Sequence, residues 1–92
     1  MNINNNLINL LGKKFTIEIL SLLKDKSLKY TEIEKVTKNP KTTNIRLKEM
    51  MLEGLIERRV LNERYRPVFY EITEKGKSTL KLIGKINQLK NE

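Results

Sequence analysis

The tightest constraint on this chain is the run from Asn39 to Thr73, NPKTTNIRLKEMMLEGLIERRVLNERYRPVFYEIT. It opens as helices open. Asn39 offers a side-chain acceptor to an orphan N–H, and Pro40 occupies the first helical position, where its missing N–H costs nothing. A helix is expected to about Glu53, ended by Gly54, the residue that best tolerates the left-handed conformation past a helix. Two β-prone runs follow, Leu55–Leu61 and Val68–Ile72, separated by a basic, turn-forming tip, Asn62–Arg66. Helix, stop and hairpin are each dictated locally, so this stretch has little freedom to fold otherwise.

The rest of the chain arranges itself around it. Ile3, Leu7, Leu10 and Leu11 recur at i, i+4, i+7 and i+8, which predicts an amphipathic helix within residues 1–12, ending at Gly12; a disordered tail is the alternative. Lys13 to Lys24 reads as a second helix, with Phe15, Thr16, Ile19, Leu20 and Leu23 on one face and Ile17 and Leu22 widening it. Asp25-Lys26-Ser27 breaks it, and Leu28-Lys29-Tyr30 is a short extended segment able to pair with the hairpin. Thr31 and Glu34 have capping-box spacing for a short helix that turns Ile33 and Val36 to the core. With the turn Thr37-Lys38-Asn39, residues 31–53 form a helix-turn-helix pattern. The hairpin spans 55–72. Thr73 then caps a last helix over 73–90, with Thr79, Leu82, Ile83, Ile86 and Leu89 along one stripe. The expected architecture is one domain over 1–92, α+β and mostly helical: a winged helix-turn-helix with a two-stranded β-wing and terminal dimerisation helices.

Composition narrows what such a domain does. The formal net charge is +8 over 92 residues, which attracts polyanions. Cysteine and histidine are both absent, which removes disulfides, thiolate nucleophiles, imidazole bases and the usual zinc ligands. The acids are scattered among lysines, with no pair placed to share a proton or a cation. No catalytic residue, metal or cofactor is therefore expected, and the chain is not read as an enzyme. No segment approaches the roughly 20 apolar residues that span a bilayer, and the N-terminus lacks a signal-type apolar region. A cytoplasmic protein without a membrane partner is the expectation.

Helical geometry then sorts the third helix. Thr43, Leu47, Met50 and Met51 point one way, to the core. Lys41, Thr42, Ile45, Lys48 and Glu49 point the other, with Asn44 and Arg46 on the flanks. Basic and amide side chains suit guanine and adenine edges, and a threonine or isoleucine methyl suits the thymine methyl. Glu49 would meet phosphate badly, which confines the reading residues to the first two turns. Base contacts are assigned to Thr42, Asn44, Ile45, Arg46 and Lys48. A merely solvated polar face is the rival for this helix taken alone, because lysine-rich faces are common. The arginines weigh against it: Arg46, Arg58, Arg59, Arg64 and Arg66 are all the arginines of the chain, and all fall in this one stretch. Phosphate contacts are assigned to Lys41, Arg59, Arg64 and Arg66, with Tyr65 at the hairpin tip along the DNA backbone. Arg58 has a structural use open to it, pairing with Glu57 or Glu71, and Tyr70 reads as core.

Four motifs carry a family resemblance over roughly Gly12 to Ile86: GKKFTIEIL, with Phe15 where a tryptophan is usual; KYTEI, Lys29 to Ile33; NIRLKEMMLEGLIERR, Asn44 to Arg59; and RPVFYEITEKG, Arg66 to Gly76. In these the chain resembles the HxlR-type regulators, a branch close to the MarR-like winged-helix proteins. It departs in having only Pro67 at the wing, where two prolines are usual, and no cysteine near the N-terminus, which the redox-responsive members use. The resemblance implies a homodimeric transcriptional regulator that binds double-stranded DNA, with terminal helices at the interface. The residues point the same way. Ile3, Leu7, Leu10 and Leu11 at one end, and Leu82, Ile83, Ile86 and Leu89 at the other, exceed what so small a domain covers, which marks an interface. A last helix folded back over its own core would absorb Leu82 and Ile83 but hardly Ile86 and Leu89. An architectural protein that coats DNA and a winged helix that meets an acidic protein partner both stay open, and no small-molecule effector is legible.

Overall fold

The computed structural model describes residues 6–89. Five helices and three short strands follow in the order α1 (Asn6–Leu11), α2 (Thr16–Leu22), β1 (Leu28–Lys29), α3 (Tyr30–Thr37), α4 (Pro40–Leu52), β2 (Ile56–Val60), β3 (Val68–Ile72) and α5 (Glu74–Gln88). The strands form one antiparallel sheet in the order β1-β3-β2, with Leu28 opposite Tyr70 and Ile56 opposite Ile72. The fold is the expected α+β, mostly helical one, and the short extended segment before α3 does pair with the hairpin.

The ends of the elements show why these residues stop where they do. Beyond α4, Gly54 takes φ 74°. Its N–H donates to the Met51 carbonyl at 3.0 Å while that of Leu55 reaches back to Met50 at 2.9 Å. This two-bond closure satisfies carbonyls the helix itself leaves free, and it delivers Leu55, fully buried, into the core. Thr73 caps α5 by accepting from the Gly76 N–H at 3.0 Å, and its own hydroxyl donates to the Gly54 carbonyl at 2.6 Å. Gly76 is required here for space: a Cβ would sit 2.3 Å from the Leu55 carbonyl oxygen and 2.6 Å from Ile72 Cγ1.

Between helices and sheet lies a core of Leu10, Ile19, Leu20, Leu23, Leu28, Ile33, Leu47, Met50, Leu55 and Ile56. Tyr70 and Ile72 pack against it from β3, and Leu80 from α5. No helix among the described residues is long and apolar enough to cross a membrane.

Several expectations need correction. The second helix begins at Thr16 rather than Lys13, because Phe15 takes a left-handed φ of 74° just before it. The helix after β1 begins at Tyr30, and its leading backbone bond is the Lys29 N–H to Glu32 Oε1 at 3.0 Å, not a box between Thr31 and Glu34. The strand runs straight into the helix, so the cap forms two residues earlier. Val36 is 52% exposed; the inward positions of α3 are Ile33 and Thr37, four apart. The strand expected over Leu55–Leu61 is trimmed to Ile56–Val60, since Leu55 still serves the closure of α4. Ile3 and the end of the last helix at Lys90 lie outside the described residues.

Candidate nucleic-acid interface

The entry to α4 is held from several sides. Asn39 Oδ1 accepts from the Thr42 N–H at 3.1 Å. Thr43 Oγ1 donates to the Asn39 carbonyl at 2.7 Å and lies 2.5 Å from Thr37 Oγ1 in a buried contact. The Tyr30 hydroxyl donates to the Pro40 carbonyl at 3.2 Å. Lys38 makes the turn between the two helices at φ 55°. With its first turn fixed in this way, α4 presents Lys41, Asn44, Ile45 and Lys48 to solvent, with Thr42 half-buried. The positive end of the helix dipole lies at the same end. An apolar Ile45 left 48% exposed amid these polar groups gives the face one hydrophobic contact point.

Arg46 stands apart from the other sequence-assigned readers. It is buried, at 8% exposure. Its Nε donates to the Lys14 carbonyl at 2.7 Å and its Nη1 pairs with Glu49 Oε1. The assignment of Arg46 to the reading face is therefore corrected: its planar head is spent on the corner between α1 and α2. Glu49 is held by the same group and by Lys13 Nζ, 2.6 Å from Oε2. The hydrogen bond from Lys13 is the main reason the Glu49 carboxyl sits below the usual carboxylate range; burial opposes it, and the charges of Lys13 and Arg46 add to it. Nothing in the local sequence marks this cluster, since its two sides are more than thirty residues apart.

The hairpin carries the remaining arginines into solvent. Arg59 pairs with Glu71 across the strands at 3.6 Å while its side chain stays 62% exposed; the partner of Glu71 is thus Arg59, whereas Arg58 lies opposite Tyr70. At the tip, the Leu61 N–H donates to the Pro67 carbonyl at 2.9 Å and the Arg66 N–H to the Glu63 carbonyl at 3.0 Å, with Arg66 at φ 45°. Arg64 lies over the Tyr65 ring, 5.6 Å from its centroid, and Tyr65 is 85% exposed. Arg64 and Arg66 have no ion-pair partner among the described residues. The solvent face of α4 and the wing tip thus both carry exposed cations that form no ion pair among the described residues.

The residues assigned to a dimer interface divide. Leu10 is buried in the protomer's own core at 3% exposure and is withdrawn from the interface. Leu7 and Leu11 are half-buried against that core, and Ile83 is half-buried as well. Leu82, Ile86 and Leu89 are exposed, and so are two residues the apolar stripes did not include, Ile8 and Leu52. Ile8 sits between Leu7 and Leu11 in sequence, on the solvent side of α1. Leu52 is the last residue of α4, where the closure at Gly54 turns it outward.

A family model described as HxlR-like helix-turn-helix matches residues 10–92. The chain belongs to the HxlR-like helix-turn-helix family. The uncharacterised HTH-type transcriptional regulator YvaP of Bacillus subtilis is 31% identical over 87 residues, 92% of this chain and 81% of that protein. An uncharacterised HTH-type transcriptional regulator of Methanocaldococcus jannaschii, MJ0361, is 30% identical over 83 residues, 87% of this chain and 78% of that protein. The reduced form of the transcriptional regulator YodB from B. subtilis superposes with a TM-score of 0.83 at 28% identity, covering 95% of this chain and 89% of that one. The HxlR-like family and these neighbours are transcriptional regulators, not enzymes, and the winged helix-turn-helix architecture is common to them.

Proposed function

We propose that this chain is a sequence-specific regulator that binds double-stranded DNA as a homodimer. The carrying observation is the joint exposure of the first two turns of α4 and the wing tip, both basic, with Lys41, Arg64 and Arg66 in no ion pair among the described residues. In this reading Thr42, Asn44, Ile45 and Lys48 meet base edges in the major groove, while Lys41, Arg59, Arg64 and Arg66 meet phosphates and Tyr65 lies along the backbone. Leu82, Ile86 and Leu89, with Leu7, Ile8, Leu11 and Ile83 beside them, pack on a two-fold mate, so that two α4 helices face one side of a palindromic site.

The test is footprinting on genomic fragments at near-physiological salt, paired with sedimentation. Discrete protected sites and a dimer that Ile86→Asp dissociates are the expected results. Uniform coating would favour an architectural protein instead, and a monomer at about 10⁻⁵ M would remove the dimer. YodB is known in reduced and diamide-treated forms. This chain has no cysteine, so its DNA affinity should be indifferent to diamide.

A further inference from the structure

Two faces of α4 are held in different ways. The inner face is seated in the core along its length through Thr43, Leu47 and Met50, all buried. One flank, at Glu49, Leu52 and Glu53, borders an open cleft of about 310 Å³ whose other wall is α1 and the corner after it, at Asn9, Leu10 and Lys13. The bonds that tie this flank to the corner are polar: Glu49 Oε2 to Lys13 Nζ at 2.6 Å between the cleft walls and, from the buried Arg46, Nε to the Lys14 carbonyl at 2.7 Å and Nη1 to Glu49. Lys13 and Lys14 are consecutive on the corner; Arg46 and Glu49 are one turn apart on the helix. The four groups close a ring, two struts braced by an ion pair. Arg46 makes it stiff, because one planar guanidinium serves both the backbone carbonyl and the carboxylate.

We propose that Arg46, Glu49 and Lys13 are positioning residues that set the tilt of α4 against the α1–α2 corner, and thereby the half-site spacing a dimer accepts. The inference rests on the DNA-binding dimer argued above. The corner follows directly on α1, whose Leu7, Ile8 and Leu11 belong to the proposed two-fold surface, so any tilt of α4 against it is repeated in the mate. Half-sites one turn apart are about 34 Å from centre to centre over about ten base pairs, roughly 3.4 Å per step. A shift of under about 2 Å in each protomer, roughly half that step, therefore moves the pair by one base pair. The buried Leu47 and Met50 oppose such a shift from the core side, where it would open voids; on the open side the struts oppose it.

A spacing series tests this: identical inverted half-sites separated by spacers changed one base pair at a time, titrated with the full chain, beside a single half-site. The unmutated protein should prefer one spacer. In Glu49→Gln, Lys13→Gln and Arg46→Lys the preference over neighbouring spacers should shrink about five- to tenfold, the worth of one hydrogen bond of ordinary net strength. Half-site affinity should stay within a few-fold, apart from a general rise in Glu49→Gln, which loses a negative charge. Lys13→Arg keeps the strut and should keep the profile. Lys13 is exposed, so its variants leave no cavity and fold. An unchanged profile in Lys13→Gln and Glu49→Gln overturns the proposal, as does a weakening shared equally by half-site and every spacer. No spacer preference in the unmutated protein would instead sink the dimer reading itself, and this inference with it.

Discussion

Arg46 and Arg66 come from the same basic stretch, and the fold puts them to opposite uses. Arg46 is folded inward on α4, its donors shared between a backbone carbonyl and a carboxylate. Arg66 stands on the wing tip in solvent, with no acid paired to it among the described residues. Charge of one kind thus stiffens the scaffold in one place and stays available to a polyanion in the other. The lesson is that an arginine-rich segment is a mixture, and burial decides which members are structural: a desolvated guanidinium is costly to leave unpaired, whereas an exposed one is free to wait.

The contrast is most easily broken at its buried end. Arg46→Ala should lower unfolding stability by about 2–3 kcal/mol, because the Lys14 carbonyl is deprived of its donor and Glu49 of a partner. Urea denaturation measures it. A stable Arg46→Ala protein with relaxed base preference would return Arg46 to the reading face. At the exposed end, Arg64→Ala with Arg66→Ala should leave stability within about 0.5 kcal/mol. The log–log salt slope of DNA binding should flatten by about one unit for each phosphate that is no longer neutralised. An unchanged slope would take the wing off the DNA.

A smaller effect tracks Glu49. Its pKa is depressed in the folded protein, so its contribution is present above the ordinary carboxylate range and is lost as pH falls through the lowered value. The stability curves of the unmutated protein and Glu49→Gln should run parallel from about pH 6 to 8 and converge below about pH 4. A gap that closes near neutrality would mean another group controls the cluster. The least effect belongs to Arg59→Ala, whose 3.6 Å pair with Glu71 is largely exposed. A few tenths of a kcal/mol is the expected loss, which would rank Arg59 with the free arginines of the tip despite its partner.

What could be read in the sequence was what is decided within a few residues. Asn39-Pro40, Gly54 and Thr73 each cap or stop an element through bonds to their own neighbours, and those boundaries fell where expected. So did β3, whose tip residues and apolar run are contiguous. The misses came from partners distant in sequence. Val36 shares helical spacing with Ile33, yet Thr37 takes the inner place because its hydroxyl meets Thr43 across the turn. Arg46 looked like a reader because the carbonyl that claims it lies on Lys14, beyond any local window. The strained turn at Phe15 had no glycine or asparagine to announce it.

The tight seat of Gly76 also makes α5 a lever. Its fifteen residues extend roughly 22 Å at about 1.5 Å per residue, and the fulcrum is the Leu55 carbonyl, on which Gly76 rests and to which the Thr73 N–H is bonded at 3.0 Å. A methyl group there would prise the helix off its seat. Even a tilt of about five degrees would carry the far end, with Ile86 and Leu89, sideways by roughly 2 Å over that length. Packed surfaces give up much of their attraction over smaller gaps than that. The first of the helix's two glycines therefore governs where its most distant side chains arrive.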